Sequence, residues 1–188
     1  MENKIKQKKS NCLRVVLYGP ESSGKTTLAN ELAKHYKTVF VPEFARNYLQ
    51  EKWNLTQEVC DIEDLDKIVI GQIESENKAL ENANRVLLCD TNVLVTKVWS
   101  EIYFDGFSSA KIKKWSQDFI YDLYILTQID IPWKKDDLRD SPNNRKEMFN
   151  SFKLELDKNK FKYLIVNGTK KERINKAIKF IDSILDKV

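Results

Sequence analysis

Residues 19–26 read Gly19-Pro20-Glu21-Ser22-Ser23-Gly24-Lys25-Thr26, satisfying the pattern G-x-x-x-x-G-K-[ST] at every fixed position. The hydrophobic run Leu13-Arg14-Val15-Val16-Leu17-Tyr18 precedes it. Leu28-Ala29 and Leu32-Ala33 follow at helical spacing. Strand, glycine-containing turn and helix, in that order, give the pattern a mechanism. Gly19 and Gly24 permit a tight backbone whose N–H groups turn inward. Together with the positive end of the next helix, those groups hold phosphate oxygens. Lys25 is placed to reach the terminal phosphates of a nucleotide, and the Thr26 hydroxyl to ligate Mg²⁺.

A chain of 188 residues suits one α/β domain and is long enough to bury a substantial core. With 41% hydrophobic and 32% charged residues, it has the balance of a soluble globular protein. No apolar run approaches the roughly 20 residues that span a membrane, so no membrane partner is expected. Residues 1–11 are basic but lack the apolar stretch of a signal peptide, and they read as a disordered, solvated tail ahead of a domain over 12–188. The net charge of +4 is scattered over Lys111, Lys113, Lys114, Lys134, Lys135, Lys170 and Lys171, with acids between most of these groups. That is a solvated surface rather than a nucleic-acid patch. Cys12, Cys60 and Cys89 show no metal-ligand spacing, and Cys89 sits in an apolar run as a small buried hydrophobe. A reducing, cytoplasmic setting is the default. His35, the one histidine, falls near the end of the first helix, where a surface or capping role is expected.

Four further apolar segments read as strands: Thr38–Val41, Val86–Cys89, Leu123–Leu126 and Tyr163–Val166. Each is short and mostly apolar, as when helices cover both sheet faces. Between them, residues 61–83 and 172–187 carry apolar side chains at helical spacing. Alternating strands and helices imply right-handed crossovers and a mainly parallel sheet. Residues 128–145 resist the pattern. Such long connections are often lids. Ser141-Pro142 is a good N-cap and first-turn pair, which predicts a helix starting there with Arg145 in its first turn. Two readings stand for Arg139 and Arg145: a lid that closes over phosphates, or an exposed loop with ordinary pairs such as Asp137 with Arg139.

In an open parallel sheet, ligands sit beyond the carboxyl ends of the strands. Asp90 follows Val86–Cys89, the position of an acid that orients Mg²⁺ or its waters. Glu43 follows Thr38–Val41 and Pro42, with Arg46 three residues on. On a helix these two point the same way, either to bind a hydroxyl and a phosphate or ribose oxygen, or to pair with each other. The segment after Leu123–Leu126, Thr127-Gln128-Ile129-Asp130, is not the Asn-Lys-x-Asp base reader of a GTPase.

The phosphate loop, then Pro42-Glu43-Phe44-Ala45-Arg46, Asp90-Thr91, and Trp133 with Asp137-Leu138-Arg139, occur here in an order that resembles the ribosylnicotinamide kinase domain of the NadR type. The resemblance covers about residues 12–185. It implies a three-layer P-loop NTPase fold like that of nucleoside and nucleoside-monophosphate kinases, with strand order 2-3-1-4-5 and a lid at about 128–145. It also implies ATP-dependent phosphorylation of the ribose 5′-hydroxyl of nicotinamide riboside, a small-molecule acceptor. On this reading ATP contacts Gly19, Pro20, Glu21, Ser22, Ser23, Gly24, Lys25, Thr26 and Thr27, and Thr26 and Asp90 serve the metal. Glu43, Phe44, Arg46, Asp90 and Trp133 are expected to meet the acceptor. Lys25, Asp90, Glu43, Arg139 and Arg145 are expected to act in catalysis, with either Asp90 or Glu43 as general base. Trp53, Trp99 and Tyr103 are further candidates for the aromatic side chains that hold the pyridinium ring in such kinases. Asn92 stands where many relatives have a second acid, and the chain has room for neither an adenylyltransferase nor a DNA-binding domain. Another nucleoside as acceptor, or a regulatory ATP-binding module without catalysis, are the alternatives.

Overall fold

The alternation along the first strand sets the architecture. In β1 (Leu13–Tyr18), Leu13, Val15 and Leu17 join one apolar cluster, while Val16 and Tyr18 join another on the opposite face. β3 (Val86–Asp90) and β4 (Leu123–Thr127) divide in the same way. A strand whose two faces are both buried reads as a continuous apolar run, and this is why these three were visible in the sequence. The computed structural model describes residues 5–133 and 144–186.

The remaining elements are α1 (Lys25–Tyr36), β2 (Phe40–Val41), α2 (Phe44–Thr56), α3 (Ile62–Ala79), α4 (Val93–Tyr103), α5 (Ala110–Asp118), α6 (Arg145–Lys158), β5 (Tyr163–Val166) and α7 (Lys170–Leu185). The strands form one parallel sheet in the order β2-β3-β1-β4-β5, as the resemblance implied. α1 and α7 cover one face of the sheet and α4 and α6 the other. α3, α4 and α5 share a third cluster around Leu65, Val69, Val93 and Ile112.

β3 and β4 each run one residue past the expected segments, and larger differences fall at β2, α3 and α7. β2 is confined to Phe40–Val41 because Thr38 is used elsewhere. Its N–H closes the end of α1 on the Ala33 carbonyl at 3.0 Å, and its hydroxyl donates to the Val86 carbonyl at 2.8 Å. α3 ends at Ala79, with a short 3-10 turn over Leu80–Asn82. α7 starts two residues early, because Thr169 and Glu172 form a reciprocal capping box. The expected disordered tail also differs over residues 5–11. The Lys8 N–H donates to Asn77 Oδ1 at 2.7 Å and the Asn77 amide donates to the Lys6 carbonyl at 2.8 Å, so this stretch lies along α3. The expected helix start at Ser141-Pro142 lies outside the described residues, and α6 carries Arg145 as its first residue.

Candidate active site

The phosphate loop joins β1 to α1 at the carboxyl edge of the sheet. Gly19 has φ 131°, and a Cβ there would lie 3.0 Å from Thr127 Oγ1 and 3.1 Å from its carbonyl oxygen. Glycine is thus required both for the backbone angle and for the close approach of β4. Gly24, at φ 89°, is the N-cap of α1. The Ser23 hydroxyl donates to the Pro20 carbonyl at 2.6 Å and lies 2.6 Å from the Thr127 hydroxyl. The loop is therefore pinned in shape from within and from β4. Lys25 Nζ donates to the Pro20 carbonyl at 2.8 Å.

Two arginines far along the chain complete the bracing. Arg145, at the start of α6, donates to the Ser22 carbonyl and to the Ile131 carbonyl, both at 3.0 Å. Arg173, on α7 and 5% exposed, donates to the carbonyls of Ser23 at 2.7 Å, Gly168 at 3.0 Å and Gln128 at 3.1 Å. It also pairs with Asp130. Burial alone would push the Asp130 carboxyl up, but the Gly168 N–H and the Arg173 charge hold it below its ordinary value. Sequence reading found Arg145 and missed Arg173, one of five basic residues on α7 that nothing local sets apart from the others.

Asp90 ends β3 and is 1% exposed. Its Oδ2 accepts the Thr26 hydroxyl at 2.5 Å, and its Oδ1 is buried with no hydrogen-bond partner among the described residues. Burial pushes its carboxyl up, against the pull of Lys25, the Thr26 hydrogen bond and Arg46. Thr91 follows at φ 73°, a conformation uncommon for a side chain of its type, and its N–H returns to the Leu17 carbonyl at 3.1 Å. Asn92 caps α4, accepting the Val95 N–H at 3.3 Å and donating to the Tyr124 hydroxyl at 3.2 Å. An aspartate can fill the same cap.

From the phosphate loop a cavity of about 770 Å³ opens between α2, α3 and α4. Lys25, Thr26, Glu43 and Arg46 line it together with Trp53, Trp99 and Tyr103. The Trp99 and Tyr103 rings stack, with centroids 3.8 Å apart and planes 15° apart, as residues one helical turn apart on α4 can. A buried ion pair, Lys97 with Glu155 at 2.8 Å, fastens this wall to α6. Cys60 also lines the cavity, but burial pushes its thiol up to about 12, so it is not a ready nucleophile.

Of the expected acceptor contacts, Glu43 and Arg46 lie in the cavity wall and Asp90 lies behind Thr26. Phe44 and Trp133 are not among the lining residues. Phe44 turns onto α3, where a Cβ on Gly71 would fall 2.2 Å from its ring. Trp133 is half-buried beyond Pro132. Arg139 lies outside the described residues.

The donor set fits Mg²⁺. Among the described residues no group of three or more His, Cys, Asp or Glu could hold a metal. Mg²⁺ asks for less, since it keeps waters and binds through one or two protein oxygens plus phosphates. Thr26 Oγ1 and the partnerless Asp90 Oδ1 supply such oxygens.

A family model described as an AAA domain matches residues 14–173. The chain belongs to the AAA domain family. It is 30% identical over 154 residues to the trifunctional NAD biosynthesis/regulator protein NadR of Escherichia coli (strain K12), covering 81% of this chain and 37% of that protein. The chain thus spans well under half the length of that relative. A crystal structure of NadR protein in complex with NR superposes with a TM-score of 0.73 at 22% identity, over 92% of this chain and 51% of the other. The thymidylate kinase of Ehrlichia chaffeensis superposes at 0.65 with 15% identity, over 94% and 100%. These matches bear out the NadR-type resemblance and the nucleoside and nucleotide kinase fold of this AAA domain protein.

Proposed function

We propose that this protein is an ATP-dependent kinase that phosphorylates the 5′-hydroxyl of nicotinamide riboside, giving nicotinamide mononucleotide in the cytoplasm. The observation that carries the reading is the single cavity joining a braced phosphate loop to a wall with a carboxylate, an arginine and stacked aromatic rings. The family match and the 30% identity to NadR support it.

In this reading the loop N–H groups and Lys25 hold the ATP phosphates. Thr26 and Asp90 would hold Mg²⁺, which would supply charge to neutralise the phosphates. Glu43 is the base: it lines the acceptor cavity, whereas Asp90 is engaged by Thr26. The 5′-oxygen attacks the γ-phosphorus, its proton passes to Glu43, and the bond to the departing ADP oxygen breaks. Charge spreads over the transferring phosphoryl oxygens. Lys25 and Arg145, the latter hydrogen-bonded to the loop at Ser22, supply fixed positive charge beside them. Arg139 keeps the lid role that the resemblance implies. Arg46 holds a ribose oxygen, and Trp53, Trp99 and Tyr103 receive the pyridinium ring.

Incubation with ATP, Mg²⁺ and nicotinamide riboside, with mass detection of nicotinamide mononucleotide, tests the proposal. Stoichiometric ADP and mononucleotide are expected. ATP binding without product would leave a nucleotide-binding module instead.

A further inference from the structure

Helix α2 begins against a local rule. Its N-cap is Glu43, whose side chain makes no cap hydrogen bond. Glutamate is a poor substitute for the Ser, Thr, Asp or Asn that normally satisfy the first helical N–H groups. The deficit is met from another helix. Gln72 of α3, 3% exposed, accepts the Phe44 N–H on its Oε1 at 3.0 Å. The other end of that amide is fixed in turn, since Gln72 Nε2 donates to Glu76 Oε1 at 3.4 Å. Glu76, 1% exposed, takes the Tyr121 hydroxyl at 3.0 and 3.2 Å. With its amide nitrogen donating to Glu76, Gln72 keeps its Oε1 facing α2.

The preceding residue of α3 holds the same target by shape. Gly71 is buried, and a Cβ on it would meet the Phe44 ring at 2.2, 2.3 and 2.5 Å. Gly71 and Gln72 therefore grip the ring and the main chain of one residue. That residue stands between Glu43 and Arg46, the charged side chains of α2 in the acceptor wall.

We propose that Gly71 and Gln72, acting through Phe44, are positioning residues that set where Glu43 and Arg46 meet the acceptor, with Gln72 serving as the N-cap that Glu43 is not free to be. The inference rests on the kinase reading above. A glutamate committed to the acceptor cannot fold back on its own helix, so the cap comes from α3. The phosphate loop is held separately, by β4, Arg145 and Arg173. The two halves of the site therefore respond differently to damage in α3.

The test is steady-state kinetics of the full chain with nicotinamide riboside and ATP. Gln72→Leu, which strands the Phe44 N–H, should lower kcat/KM for the acceptor by roughly tenfold or more. KM for ATP should change by less than about twofold. The exchanged pair Gln72→Glu with Glu76→Gln keeps an acceptor facing Phe44 and a donor facing residue 72, and should recover most of the loss. Gly71→Ala should reproduce the acceptor defect, and adding Phe44→Leu, which vacates the clash, should relieve it. Equal losses toward both substrates, or no recovery in either rescue, would overturn the proposal even with an active wild type. An inactive wild type would instead remove the kinase reading beneath it.

Discussion

Thr26 and Asp90 touch: the hydroxyl of the phosphate loop donates to the carboxylate that ends β3 at 2.5 Å, across 64 residues of sequence. The contact joins the two groups that a phosphate-bound Mg²⁺ would engage, and it leaves Asp90 Oδ1 buried and without a partner among the described residues. Asp90→Asn should keep the fold, because an amide can still accept the Thr26 hydroxyl, but lower kcat by at least ~10²-fold, the scale of losing one preorganised charge. It should also raise the Mg²⁺ concentration needed for half-maximal rate. A Mg²⁺ titration of initial rates checks this, and an unchanged half-saturation point would detach Asp90 from the metal.

Glu43 carries a separable prediction. As the base, its replacement by Gln should lower kcat by ~10² or more, within the usual range for general acid–base catalysis, with little change in KM for the acceptor. A glutamate that merely binds a hydroxyl would show the reverse, a raised KM with kcat preserved. Initial rates over a range of nicotinamide riboside concentrations separate the two.

The strands and the phosphate loop were legible for the same reason: their signals are local. Leu13–Tyr18 and Leu123–Thr127 are buried on both faces, so apolar runs betray them, and the loop is one contiguous motif. Glu43 and Arg46 were legible as a pair three residues apart. What escaped was long-range. Arg173 reaches the Ser23 carbonyl across 150 residues, and no pattern in α7 marks it. Phe44 was expected at the acceptor from the family resemblance and its aromatic ring, but the missing Cβ of Gly71 leaves room for that ring on α3. The Gln72 cap of α2 spans 28 residues. The one visible hint was a glutamate where a capping residue belonged.

Glu76 predicts a pH dependence of stability. Burial pushes its carboxyl from 4.5 up to about 7, against hydrogen bonds from Tyr121 and Gln72 and the attraction of Arg14. Burial also raises Cys89, Tyr121 and Tyr124, so these neighbours stay neutral through the window. The folded chain holds a proton that the unfolded chain has released, so stability falls as pH rises from about 4.5 to about 7 and levels off above. The loss amounts to about 3 kcal/mol at most. Urea unfolding at about pH 5 and pH 8 checks it: Glu76→Gln should gain stability relative to wild type at the higher pH. A difference between the two proteins that does not vary with pH would show that Glu76 does not titrate on unfolding.

The central claim is that the cavity selects a cationic nucleoside. Trp53, Trp99 and Tyr103 line it together with Glu43. A desolvated cation over such rings gains on the order of 1–2 kcal/mol, or roughly tenfold in kcat/KM over a neutral nucleoside of similar shape. The direct measurement is kcat/KM with ATP for nicotinamide riboside, cytidine, uridine and adenosine under one set of conditions. Nicotinamide riboside should be preferred by roughly tenfold or more. A preference for any of the neutral nucleosides would contradict the account.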